Sequence, residues 1–133
     1  AMPRPALLVP ALLALAPAAL PAQEIDCAEA VTTVEINWCG EQAWMAADGA
    51  LNAAYADAIA LAREIDAEGT GNSEETLREA QRAWVAFRDA ACEAEAQPFS
   101  PGSIMGAITY GCLERLTLAR TDDLVSYVDN WAQ

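Results

Sequence analysis

One long apolar stripe restricts the fold of this chain more than any other feature. Apolar and small residues recur along it at steps of three and four, namely Ile36, Gly40, Ala43, Ala47, Leu51, Ala54, Ala58, Ala62 and Ile65. This spacing is typical of the buried face of an amphipathic helix and predicts a helix of about 30 residues. Thr32 and Glu35 fit a capping box at its start, and Gly69 and Gly71 follow its end.

Two further helices are predicted after the first. Ser73 is expected to cap the second, with Glu74 and Glu75 in its first turn, where the helix dipole favours negative charge. The segment 97–102 contains two prolines and ends this helix. Ser103 is then expected to cap a third helix. Its apolar residues at helical spacing are Ile104, Ile108, Cys112, Leu116, Ala119, Leu124 and Val128.

The four cysteines form an even set at positions 27, 39, 92 and 112. Since the chain has no histidine, a zinc site would need all four thiolates, and such sites usually consist of closely spaced pairs that are absent here. Disulfides are therefore the better interpretation, and three pairings are possible. We favour Cys27–Cys39 and Cys92–Cys112, because each closes a short loop and joins neighbouring segments.

The predicted elements define a fold class. No alternating β-branched run indicates a strand, and amphipathic helices bury their apolar faces against one another. Alanine makes up 31 of the 133 residues and allows helices to approach closely. We therefore expect an all-α fold, a small bundle of three to four helices whose hairpins are linked by two disulfides.

The first 22 residues have the layout of a secretory signal peptide. Arg4 supplies one positive charge before an apolar run that is shorter than the ~20 residues of a membrane span, and small residues and prolines follow. We expect cleavage after Ala22, with an A-x-A site upstream as an alternative. The folded domain would then cover residues 23–133 and be periplasmic or secreted. No lipobox precedes the first cysteine, so no lipid anchor is expected.

The chain is strongly acidic. Seven arginines stand against 20 acidic residues, a net charge of −13, and removal of Arg4 with the signal peptide leaves six arginines and −14. A negative surface disfavours nucleic acid and anionic membranes, so after signal cleavage we expect neither as a partner and favour a cationic protein. Lysine and histidine are absent. The sequence accordingly predicts no metal site, no cofactor and no catalytic residue.

Four stretches of the chain resemble one known family. They cover residues 33–39, 47–55, 80–92 and parts of 102–120. The most specific are A-D-x-x-L-N-x-x-Y in the second stretch and A-Q-R-A-W-x-x-x-R-D-x-x-C in the third. Together they resemble the LprI family of bacterial envelope proteins, over roughly residues 27–124.

This resemblance implies an exported helical domain that binds and blocks lysozyme, with no enzymatic activity of its own. The alternative is an envelope interaction module with a different protein partner. A small hydrolase is a third class, but no pair of carboxylates lies in a recognisable catalytic setting.

Polar residues on the predicted buried faces indicate a structural network. Arg88 lies one turn after Trp84 on the same face, where a guanidinium must be paired or reach outward. Asp48 and Asn52, four residues apart on the first helix, are placed to meet it. The expected network, which would fix the register of the helices, consists of Asp48, Asn52, Gln81, Arg88, Thr117 and Arg120.

Two surface features are candidates for contact with a partner. Glu74, Glu75 and Glu79 form an acidic helix surface that would steer a cationic protein, unless it is only solvated charge. Phe99 and Ser100 lie in the proline-rich turn. A rigid loop of this kind loses little entropy when it enters a cleft.

Overall fold

The computed structural model describes residues 1–2 and 24–131, which form an all-α fold. Helix α1 spans Thr33–Glu68, α2 spans Ser73–Ala96 and α3 spans Met105–Trp131, with a short 3-10 turn over Gln97–Phe99. The predicted fold class is confirmed, and the described residues contain no strand. Beyond its first two residues, the predicted signal peptide lies outside the described part of the chain.

The predicted capping box begins α1. The Thr32 hydroxyl accepts a hydrogen bond from the backbone N–H of Glu35 at 3.2 Å. In return, the Glu35 carboxylate accepts from the N–H of Thr32 at 2.9 Å. The hydrogen bonds that the Glu35 carboxylate accepts, led by the one from the Thr32 amide, lower the pKa of Glu35. Two of the amides left free at the helix start are thereby satisfied.

The predicted caps of the other two helices are wrong. Ser73 is the first residue of α2, and the residue before it makes no side-chain cap. Instead, the carboxylate of Asp66 accepts from the N–H groups of Ser73 at 2.7 Å and Glu74 at 3.0 Å. Because the loop is short, the last turn of α1 supplies the acceptor. Helix α3 begins two residues after Ser103. The carbonyl oxygen of Ser103 accepts from the side-chain amide of Asn37 at 3.2 Å.

Helices α1 and α3 run side by side in the same direction, and α2 runs opposite to both. Asn37 and Gly40, near the start of α1, lie against the loop before α3 and its first turns. Further along, Leu51 and Ala58 of α1 pack with Leu124 of α3 in one buried cluster. Tight glycine contacts set the spacing at the shared starting end of the two helices. A Cβ on Gly40 would lie 3.1 Å from the Cβ of Tyr110.

Both predicted disulfides are present. Cys27 bonds to Cys39 with a Cα–Cα distance of 5.7 Å, and Cys92 bonds to Cys112 at 5.4 Å. The second bridge is almost fully buried and packs with Leu113 in a second buried cluster, separate from that of Leu51 and Leu124. It joins the end of α2 to the first turns of α3 and so closes the second helical hairpin. None of the helices that the structure describes is long and apolar enough to cross a membrane.

Candidate functional site

Arg88 is the one buried charged residue in residues 24–131. It is only 8% exposed, and its guanidinium faces two indole rings. The guanidinium carbon is 5.2 Å from the ring centroid of Trp84 on the same helix and 5.9 Å from that of Trp44 on α1. Both distances are within the range of cation–π attraction, so the two rings stabilise the charge inside the bundle.

Two carboxylates neutralise this guanidinium. Arg88 donates from Nε to one oxygen of Asp89 at 2.9 Å, and its Nη2 lies 2.8 Å from the same oxygen in an ion pair. Its Nη1 lies 3.6 Å from Asp48 on α1, which also accepts from the Asn52 side chain at 3.2 Å. Because Asp48 and Arg88 lie on different helices, their ion pair joins α1 to α2. A buried charge with both rings and carboxylates around it is satisfied and holds its neighbours in place.

The other three residues of the predicted network form no hydrogen bond or ion pair with Arg88 in the described residues. Gln81 accepts from Nε of Arg120 at 3.0 Å, a contact that joins α2 to α3 two helical turns away from Arg88. Thr117 is completely buried, and its hydroxyl finds no hydrogen-bond partner. The structure therefore brings Asp48, Asn52 and Arg88 together and places Gln81 with Arg120 in a second group.

Sequence reasoning missed two partners of Arg88. Asp89 follows it directly in the chain, within the motif that ends in Cys92. Trp44 lies one turn before Asp48 on α1, and this spacing was a usable signal for a shared face. The ring of Trp44 also stacks on Tyr110 of α3 with a centroid distance of 6.0 Å. Trp44 thus contacts all three helices.

The acidic surface predicted on α2 is largely compensated by arginines. Glu74 forms ion pairs with Arg63 at 3.0 Å and Arg78 at 2.7 Å. These two hydrogen bonds, led by that from Arg63, lower the pKa of Glu74. Glu75 pairs with Arg82 at 2.9 Å. Of the three predicted contact residues on α2, Glu79 alone takes part in none of the ion pairs found in the described residues.

The proline-rich turn presents an aromatic ring at the other end of α2. Phe99 is 44% exposed, and the N–H of Ser100 donates to the carbonyl of Gln97 at 3.0 Å. Gly102 closes the turn, where any Cβ would lie 2.8 Å from the Phe99 carbonyl oxygen. Since α2 rises about 1.5 Å per residue, its end at Ala96, where the turn begins, is roughly 33 Å from Glu74. The two predicted contact features therefore do not form one patch.

These observations define the class of protein, a small disulfide-linked bundle of three helices with a buried arginine that contacts two tryptophan rings. The chain belongs to the LprI family: the family model described as "Lysozyme inhibitor LprI" matches residues 26–124. The chain is also similar to the uncharacterized protein R02472 of Rhizobium meliloti (strain 1021), with 34% identity over 125 residues, 90% of each chain. No solved structure matches the chain.

Proposed function

We propose that this protein binds lysozyme and blocks its substrate cleft without chemistry of its own. The family match over residues 26–124 carries this proposal. An inhibitor of this kind needs a stable surface of the right shape and charge rather than catalytic groups. Two disulfides, and a buried arginine of α2 that pairs with Asp48 of α1, provide the stability.

Electrostatic attraction supports the choice of partner. The net charge of the chain is −13, and many lysozymes are strongly cationic. Opposite net charges raise the association rate, and this effect weakens as salt screens the field. The two predicted contact features then have separate roles. The end of α2 that carries Glu79 steers the approach, and the exposed ring of Phe99 enters an apolar part of the partner's surface.

Export fits this role, because lysozyme attacks the cell wall from outside the cytoplasm. The two disulfides are consistent with an oxidising compartment, and the LprI family consists of exported proteins. We propose that the signal peptide over residues 1–22 is removed and that residues 23–133 act in the periplasm or outside the cell.

The test is an assay of cell-wall lysis by hen egg-white lysozyme, with oxidised protein comprising residues 23–133. We expect inhibition that weakens as the ionic strength rises. Absence of inhibition at low salt, for this enzyme and for lysozymes of other types, would contradict the proposal. Stable binding to a different envelope protein would then favour the interaction module.

Matched variants separate the two contact features. Phe99→Ala is compared with Phe87→Ala, which removes an exposed phenylalanine from the middle of α2. Glu79→Arg is compared with Glu93→Arg, which makes the same charge change on the same helix nearer the turn. We expect Phe99→Ala to raise the inhibition constant and Phe87→Ala to leave it unchanged. Glu79→Arg should slow association more than Glu93→Arg does.

A further inference from the structure

We propose that a groove between α1 and α3 receives a basic side chain, arginine or lysine, from a protein partner. The groove is a cavity of about 130 Å³ on the side of these helices away from α2. Its apolar floor consists of Ala54, Val125 and Val128. Asp57 of α1 and Asp129 of α3 line its edges. Val125 is 46% exposed, so solvent or a ligand reaches the floor directly.

The distribution of ion pairs leaves this side of the molecule negative. In residues 24–131, five of the six arginines pair with carboxylates, and the sixth, Arg120, donates to Gln81. All these carboxylates lie on α2 except that of Asp48. No arginine in this range pairs with Asp57 or with any carboxylate of α3. Those of α3 are Glu114, Asp122, Asp123 and Asp129.

The groove has the chemistry that a long basic side chain needs. Arginine and lysine place their methylene stems against apolar surface and keep the charged head at a polar rim. Here Val125 and Val128 would contact the stem, and the carboxylates of Asp57 and Asp129 would pair with the head. Charge complementarity therefore selects a cationic occupant over a neutral or anionic one.

A metal ion fits the groove less well than a basic side chain. The described residues contain no group of three or more acidic or cysteine side chains arranged to hold a metal. The two carboxylates of the groove lie on different helices with valines between them. A divalent cation would require more oxygen ligands than these two provide.

The groove lies toward the end of the bundle where α2 begins. Tyr127 of α3 shares a surface depression with Ser73 and Leu77 of α2, which places the last turns of α3 beside the first turns of α2. A basic partner docked at Asp57 and Asp129 would therefore approach the end of the bundle opposite Phe99. Only the identity of the partner as lysozyme rests on the proposed function; the preference of the groove for a cation does not.

The test is an NMR titration of the ¹⁵N-labelled oxidised protein with a hexa-arginine peptide and, separately, with hen egg-white lysozyme. The double variant Asp57→Asn/Asp129→Asn removes the two rim charges. The control Glu29→Gln/Glu93→Gln removes two exposed carboxylates outside the groove, so both variants have the same net charge. We expect amide shifts at residues 54–57 and 125–129, and roughly fivefold weaker peptide binding in the groove variant alone.

A further variant tests the apolar floor. Val125→Arg places a guanidinium inside the groove and should abolish binding of the peptide there, while thermal unfolding confirms that the helices remain folded. Equal weakening by the groove and control variants, or shifts confined to α2, would overturn the inference. If the peptide binds at the groove and lysozyme does not bind at all, the proposed function fails and the inference stands. If lysozyme is inhibited equally by the wild type and the groove variant, the inference is wrong for that partner and the proposed function stands.

Discussion

The guanidinium of Arg88 lies 5.2 Å from the ring centroid of Trp84, one helical turn earlier on α2. The same guanidinium pairs with Asp48 of α1 at 3.6 Å and faces the ring of Trp44. One buried cation thus ties its own helix to the neighbouring one through attractions of two kinds. Three of the residues around it, Asp48, Trp84 and Asp89, lie in the A-D and W-x-x-x-R-D motifs. The fourth, Trp44, lies one turn before Asp48.

Loss of this cation should destabilise the fold. Arg88→Met keeps most of the apolar length of the side chain but removes both cation–π contacts and both ion pairs. We expect a decrease of about 2 kcal/mol in the free energy of unfolding, measured by urea denaturation. Arg82→Met is the matched control, since Arg82 is exposed and makes a single pair with Glu75. The control should change stability by less than about 0.5 kcal/mol. Equal effects would contradict the central role of Arg88.

Two glycines of α1 should respond in opposite ways to the same substitution. At Gly49, no atom lies within 4 Å of an added Cβ, so Gly49→Ala should stabilise the helix by about 0.5–1 kcal/mol. At Gly40, the added Cβ would lie 3.1 Å from Tyr110 and push α1 from α3. Gly40→Ala should therefore lower the thermal midpoint despite the better helix propensity. A rise in the thermal midpoints of both variants would show that α1 and α3 move apart at Gly40 with little loss of stability.

The two disulfides should contribute unequally. Each closes a short loop, of 12 and 20 residues, and restriction of the unfolded chain is worth about 3 kcal/mol for either. The Cys92–Cys112 bridge is also buried against Leu113. Its replacement by two alanines should therefore cost more than replacement of Cys27–Cys39, because it leaves a cavity as well. Urea denaturation of the two double variants measures the order, and a reversed order would contradict this assignment of the core.

The cap that Asp66 provides for α2 should contribute to the stability of the fold. Asp66→Ala removes the acceptor for two backbone amides, whereas Ser73→Ala removes a hydroxyl that does not cap the helix. We expect the first substitution to lower the thermal midpoint clearly and the second to change it little. A larger decrease in the thermal midpoint for Ser73→Ala would show that Ser73 caps α2, as expected from the sequence.

The same carboxylate predicts a pH dependence. Hydrogen bonds from the amides of Glu74 and Ser73 lower the pKa of Asp66 below its ordinary value of 3.8. A depressed pKa in the folded state contributes stability that is present above the unfolded value and is lost as the pH falls through the folded one. The stability difference between wild type and Asp66→Ala should therefore shrink as the pH falls below 3.8, as followed by thermal unfolding. A difference that stays constant to low pH would show that the charge of Asp66 is not what stabilises the cap.

Periodicity predicted the helices well, because an apolar stripe is a property of each segment by itself. The capping box at Thr32 was equally local, and the disulfides followed from short loops. The cap of α2 was missed because its acceptor, Asp66, lies seven residues before Ser73, beyond the range in which caps are sought. The compensation of Glu74 by Arg63 was missed for a similar reason, since that contact crosses between helices.

The candidate site was predictable only in part. Charge and spacing led to Arg88 and Asp48, but not to the separation of Gln81 and Arg120 from them. The negative side of α1 and α3 is a property of the assembled bundle. It arises because the arginines pair with α2, and no single stretch of sequence contains that information.

A competition experiment decides whether the protein occupies the lysozyme cleft. Binding of the oxidised protein to hen egg-white lysozyme is measured by calorimetry, with and without a saturating chito-oligosaccharide in the cleft. If the protein occupies the cleft, the saccharide abolishes or strongly weakens binding. Unchanged affinity in its presence would show that the protein binds elsewhere on lysozyme and that occupation of the cleft is wrong.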